Sequence, residues 1–367
     1  MKIAEIEQII ESWAPKWTAW ERDNVGLQVG DRTRNITSVL VALDITEQVV
    51  KEARAKKVGL IVSHHPLLFR PPTAVTASND IGRWILQLVE SKIAVYSAHT
   101  NLDFTKHGVS FALAERLGLT NIRFLSPLKG TRAKIVVFVP QGYVDRVAEA
   151  MSTAGAGVIG EYEACSFRLS GTGTFRGSSE THPFIGKAGH LETAEEVRLE
   201  MIAPRARVQA IVSAMKQVHP YEEVAYDVYP LDNDDPNYGM GAIGELKRPQ
   251  PLQTFLQHTK RALKAEALRY SGDPRRRVKI VAVCGGSGSD LLPEAQSRNA
   301  DVFITADIRY HTFHAAGPLV LVDAGHWETE HVILEPLAER LRQAARKRNE
   351  RLQVYVTRHS TNPTQYL

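Results

Sequence analysis

The feature that most constrains the fold is a rhythm of short apolar runs and helical stretches that starts at Ser38, breaks near Pro127 and resumes after Pro236. Val39-Leu40-Val41-Ala42-Leu43, Leu60-Ile61-Val62 and Ile93-Ala94-Val95-Tyr96 read as buried strands, with helices over Thr46 to Lys57 and Ile81 to Ser91 between them. Apolar strands of this length alternating with helices predict an α/β body with a mostly parallel sheet covered on both faces. Ligands of such a sheet lie off the carboxyl ends of its strands. Upstream, Ile3, Ile6, Ile9 and Ile10 recur at helical spacing before Pro15, and Asp23 to Gly30 reads as an irregular approach to the first strand. After Pro236 the rhythm gives a helix over Leu252 to Leu263 and strands at Lys279 to Val283, Val302 to Thr305 and Leu319 to Val322. A helix from about Glu328 to Arg348 and a strand over Leu352 to Thr357 follow.

The interruption carries a weak internal repeat. A strand over Ile135 to Val139 and another over Val197 to Ile202 are followed by Pro140 and Pro204 and then by a helix, with Val four and Met eleven residues after the proline: Val144 and Met151, Val208 and Met215. With strand-like stretches at Ala164 to Phe175 and Val224 to Tyr229, the order becomes β-α-β-β-α-β, the ferredoxin-like unit. The predicted organisation is therefore one α/β body built from residues 1–126 and 236–367, interrupted by an inserted α+β domain at 127–235.

A length of 367 residues suits two or three domains. The net charge of +4 is too small to demand a nucleic-acid or membrane partner. Only Cys165 and Cys284 are present, which excludes a disulfide framework and favours a reducing compartment. An acidic first turn in place of a basic leader, and no apolar run of the ~18 residues that span a bilayer, predict a cytoplasmic location without membrane contact.

Three strand ends carry chemistry. Ser63-His64-His65-Pro66 places two imidazoles where one strand stops, and a turn at Pro66 is needed for both to aim at one place. His99 and Asp103 follow the next strand. In Asp323-Ala324-Gly325-His326-Trp327-Glu328-Thr329-Glu330, His326 and Glu330 stand four apart on one helix face. His64, His65, Asp103, His326 and Glu330 together offer three imidazoles and two carboxylates, a set too large for one catalytic ion and suited to two divalent ions sharing a carboxylate. Without a thiolate the set admits Zn, Mn, Fe, Co or Ni, with Zn favoured. His99, four residues before a ligand, is the candidate proton shuttle.

Asp23 to Gly30, Ser63 to Pro66, Ser97 to Asp103, Asp301 to Asp307 and Asp323 to Glu330 resemble the motifs of the GTP cyclohydrolase 1 type 2 homologue family, the Nif-three-like proteins, over nearly the whole chain. The insert, with His219-Pro220-Tyr221-Glu222-Glu223, is similar to the PII/CutA-like domain of the longer bacterial branch. The resemblance implies that the same five residues hold two divalent metals. It also implies a homohexamer with trimeric contacts through the insert, and a metal hydroxide acting on a nucleotide or other small heterocyclic substrate. Ala306 stands where the family has Gly, and Trp327, read as a rim aromatic, where it has Tyr. A ring that senses a small molecule through its insert without turnover is the alternative. Arg275 to Arg277 and the arginines between Arg340 and Arg351 read as solvated faces, with a nucleic-acid path through a ring as the further option. Gly285-Gly286-Ser287-Gly288 reads as a tight turn before a helix, with phosphate binding the lesser option. Both cysteines read as buried filler, and Asp44 has no role assigned.

Overall fold

A computed structural model describes residues 1–367. The chain divides into two compact units, Met1–Pro127 with Pro236–Leu367, and Leu128–Asp235.

The first unit holds two sheets, where the sequence reading expected one. The first sheet runs in the order Gly26–Val29, Ala94–Ser97, Leu60–Ser63, Ser38–Ala42, Gln353–Val356. Its last four strands are mutually parallel, and Gly26–Val29 is an antiparallel edge strand where only irregular chain was expected. The second sheet runs Arg269–Tyr270, Val320–Asp323, Val302–Thr305, Arg277–Val283, Gly239–Pro251, Thr120–Pro127. Only its three central strands are parallel, so this sheet is mixed. Strands Thr120–Pro127 and Gly239–Pro251 escape the apolar-run reading because solvent-facing residues interrupt them.

Alternation within each strand explains the layering. Val39 and Val41 of one sheet share a core with Val281, Val302 and Val320 of the other, together with Ile3, Ile6 and Ile10, Phe255 and Leu337 from helices. The alternate residues face outward: Leu40, Ala42 and Ile61 into one outer cluster, Ala282, Phe303 and Leu321 into another. Helix starts follow local chemistry. Thr46 and Asn79 each accept a backbone N–H in the first turn, from Val49 and Gly82, and open Glu47–Ala55 and Asp80–Glu90. The expected long helix near the C-terminus is broken into His326–Glu330, a tight turn at His331–Ile333, and Leu334–Lys347.

In the second unit, Arg132–Pro140, Val144–Thr153, Phe167–Phe175, Glu192–Pro204, Val208–Val218 and Tyr226–Leu231 follow one another as β-α-β-β-α-β. The four strands form one antiparallel sheet in the spatial order second, third, first, fourth. Val144, Met151 and Met215 sit in its core and the half-buried Val208 packs against it, which explains the repeated spacing after each proline. No helix in either unit is long and apolar enough to cross a membrane.

Candidate metal centre

The carboxyl ends of parallel strands from both sheets deliver the chemistry to one place. His64 and His65 follow Leu60–Ser63, His99 and Asp103 follow Ala94–Ser97, and His326 and Glu330 follow Val320–Asp323. The expectation that one sheet supplies all five ligands is corrected: three come from the first sheet and two from the second. The fully buried His64 and the tilted ring of His65 are adjacent, centroids 4.9 Å apart, because the strand ends there and Pro66 turns the chain.

Glu330, buried in a short helix, is the hub. Its Oε1 lies 3.1 Å from His326 Nε2 and 3.9 Å from His64 Nε2, while its Oε2 lies 3.0 Å from His65 Nε2. Asp103 Oδ1 is 3.6 Å from His64 Nε2. The ligand atoms of His65, His326 and Glu330, and separately those of His64, His65 and His99, lie within 4.8 Å of one another.

Each imidazole is held from behind. The Nδ1–H of His64 donates to the Ala98 carbonyl at 2.8 Å, that of His65 to Asp44 at 2.7 Å, that of His326 to Asp307 at 2.6 Å, and that of His99 to Asp23 at 2.9 Å. With Nδ1 so committed, Nε2 of every ring is the nitrogen left to face the centre, the usual outer-shell device around a metal. Asp44 and Asp307 lie past the ends of Ser38–Ala42 and Val302–Thr305, so two further strand ends serve the site. Thr361 donates to Asp44, and Thr100 donates through backbone and hydroxyl to Asp23.

The electrostatics ask for a cation. Burial opposes charge on His65 and His326, yet the hydrogen bonds that His65 donates to Asp44 and Glu330, and His326 to Glu330 and Asp307, push them up to about 10 and about 9. Burial and the neighbouring Glu330 raise the Asp103 carboxyl to about 7. Burial would raise Glu330 too, but three histidines hold it well below the usual carboxylate range. His64 Nε2 and Asp103 Oδ1, 3.6 Å apart, are buried without a hydrogen-bond partner. Two such atoms facing each other cost stability unless a cation satisfies them.

The glycine turn proves structural. The N–H groups of Gly285, Gly286 and Gly288 are spent on the hydroxyls of Ser110, Thr329 and Thr305, which leaves the turn without a phosphate cradle. Gly286, at φ +61°, has Glu330 Oε1 only 2.1 Å from where a Cβ would stand. The motif at Asp23 to Gly30 acts through its polar side chains. Asn24 donates to the Leu68 carbonyl, and Gln28 Oε1 accepts from Leu68 N–H at 3.0 Å, so the motif braces the loop after His65.

Trp327 lines a cavity together with His65 and His326, with its ring stacked flat on His331 at 4.1 Å. Other expectations change. Cys165 is only half-buried, on the insert, whereas Cys284 lies beside the centre. Most of the basic clusters are paired: Arg342 with Glu335 and Glu339, Arg348 with Glu5, Arg275 with Asp273, and Arg276 with Asp301. Sequence reasoning missed Asp23, Asp44 and Asp307 as supports, although each follows a strand or belongs to a quoted motif.

The fold and site define a class: a two-sheet α/β protein whose strand ends surround a histidine-carboxylate centre backed by further carboxylates. Residues 1–363 match the family model for Duf34/NIF3 (NGG1p interacting factor 3), and the chain belongs to that family. It is 39% identical to the GTP cyclohydrolase 1 type 2 homolog of Halalkalibacterium halodurans over the full length of both chains. It is also 39% identical to that of Bacillus subtilis, over 99% of this chain and 98% of the other. Among solved structures, a Bacillus cereus protein related to NIF3 superimposes with a TM-score of 0.86 at 38% identity, covering 100% of this chain and 99% of that one.

Proposed function

We propose that the protein is a divalent-metal-dependent hydrolase holding two ions, zinc first among the candidates, through His64, His65, Asp103, His326 and Glu330. The observation that carries this reading is the pair of buried, unpartnered atoms His64 Nε2 and Asp103 Oδ1, beside Glu330 and in a ring of imidazoles whose other nitrogens are all committed. When bound, such ions polarise a substrate oxygen and lower the pKa of coordinated water. Glu330, whose two oxygens face different histidines, would be the residue the two ions share, a reading that these contacts support.

His99 handles the proton. Its Nδ1 is committed to Asp23, so Nε2 is the atom that gives or takes it, and its ring centre lies 5.4 Å from that of His64 and 5.5 Å from that of His65. A cavity of about 600 Å³ opens over the centre and is walled by Trp20, Phe69, Phe104 and Met240, a lining suited to a small heterocyclic substrate. The names of the relatives, GTP cyclohydrolase 1 type 2 homolog, support the same reading.

For the insert we adopt the PII/CutA-like assignment, supported by its strand order. We likewise adopt a homohexamer with trimeric contacts through the insert, supported by the exposed Tyr162, Phe167, Leu169 and Leu191. Elemental analysis of protein purified without added metal, followed by a hydrolysis screen of nucleotides and nucleosides, tests the function. Two ions per chain and turnover that His99→Ala abolishes while keeping both ions are the expected results; wild type free of metal in every preparation refutes it. Light scattering that reports a monomer at micromolar concentration refutes the assembly.

A further inference from the structure

The charges and faces of the cavity over the metal centre restrict what can enter it. Its lining includes Asp103, Asp290 and Glu330 but no Lys or Arg. Phosphate groups are ordinarily held by Arg, Lys or free backbone N–H groups. The one stretch of backbone suited to that task, Gly285 to Gly288, has three of its N–H groups bonded to hydroxyls. Asp290 and Ser287, both exposed, occupy the rim beside this turn, so a polyanion there would meet a carboxylate.

The same cavity offers unusual apolar area. Trp20 is 60% exposed and Phe69 is 52% exposed, although each is anchored at its base. Trp20 N–H donates to Thr100 Oγ1 at 3.1 Å, and its ring meets Phe104 edge-on at 5.6 Å. Phe69 meets His99 edge-on at 6.3 Å and follows Leu68, which Asn24 and Gln28 clamp. Two aromatic rings, each in one edge-to-face contact and each more than half exposed, offer the apolar area on which a base can stack.

We propose that the site takes an uncharged planar nitrogen heterocycle, a free base or nucleoside, stacked on Trp20 and Phe69, and that this chain has no subsite for a triphosphate. This rests on the hydrolase reading only in taking the cavity as the substrate's place. With the ring over the metal ions, the phosphates of a nucleoside triphosphate would reach the rim, where Asp290 stands and no Lys or Arg does. The convergent polar groups, His99, Ser287 and Asp290, suit the N–H and C=O edges of a heterocycle.

Calorimetric titration of the metal-loaded full chain with guanosine and with GTP, each at low and at physiological salt, tests the proposal. Guanosine is expected to bind, and GTP no more than about threefold tighter at either salt. Trp20→Ala and Phe69→Ala are each expected to weaken guanosine binding about 5- to 150-fold, the range of one lost base-aromatic stack, with metal content unchanged. GTP binding more than about tenfold tighter than guanosine, with affinity falling as salt rises, would overturn it. So would guanosine that fails to bind at millimolar concentration, or either alanine variant that binds as wild type does. Elemental analysis separates the two readings: guanosine binding by protein that holds no metal in any preparation sinks the hydrolase and leaves this proposal standing.

Discussion

Gly286→Ala isolates the packing of the metal centre from the ordinary cost of a substituted glycine. At φ +61° an alanine pays the left-handed penalty, on the order of 1 to 2 kcal/mol, and its Cβ would stand 2.1 Å from Glu330 Oε1 and 3.2 Å from His326 Nε2. Side-chain carbons do not approach other atoms within 3.0 Å, so the carboxylate must retreat by about 0.9 Å. Metal-ligand distances tolerate deviations of roughly 0.2 Å, and disturbing even a ligand's support costs about 10- to 100-fold in affinity. Gly317→Ala is the control, because Gly317 has φ +57° with nothing within 4 Å of its virtual Cβ. The assay is metal retention against a chelator of known affinity, paired with thermal melts. Gly317→Ala should keep wild-type metal and lose about 2 to 4 °C per kcal/mol of strain. Gly286→Ala should release metal at least about tenfold more readily, and the gap between the two melting temperatures should narrow once both are stripped. Wild-type metal affinity in Gly286→Ala would refute the argument that Glu330 is fixed by close packing on this turn.

Glu330→Gln should weaken both ions by removing the charge they share, whereas His64→Ala should weaken mainly the ion that ring holds; elemental analysis showing two ions per chain in Glu330→Gln would refute the shared role. In metal-free protein His65 and His326 titrate at about 10 and about 9, above the ~6.5 of an unfolded histidine. Their contribution to stability is therefore fully present below pH ~6.5 and lost as pH rises through 9 to 10, so denaturant melts of stripped protein should weaken over that window. Metal binding should show the opposite trend, with affinity rising with pH and protons released, which calorimetry in buffers of different ionisation enthalpy would measure. Deleting Leu128 to Asp235 should leave a cooperatively folding body that still binds metal, because Pro127 and Gly239 pair directly in one sheet and a short linker can join the ends. Loss of cooperative unfolding together with metal in that variant would show the insert to be part of the core.

The sequence by itself determined the local elements and the types of side chain that gather at the candidate centre. Periodicities of 2 and 3.6 are properties of neighbouring residues, so the parallel strands around His64, His99 and His326 were legible from their apolar runs, as was the helix Leu252–Leu263. The break near Pro127 and Pro236 was legible because turn formers and the paired Val and Met spacing changed the rhythm there. Only the tertiary structure decided that the strands form two sheets, because pairing joins residues far apart: Gln353–Val356 lies beside Ser38–Ala42, and Gly239–Pro251 beside Thr120–Pro127. It alone showed that Asp44, Asp307 and Asp23 orient histidines 21, 19 and 76 residues away, since a lone aspartate after a strand is as consistent with a turn as with a hydrogen bond across the site. The glycine turn makes the same point. Its composition allowed a phosphate cradle, and only the hydroxyls of Ser110, Thr329 and Thr305, brought in from other elements, consumed the N–H groups that such a cradle needs.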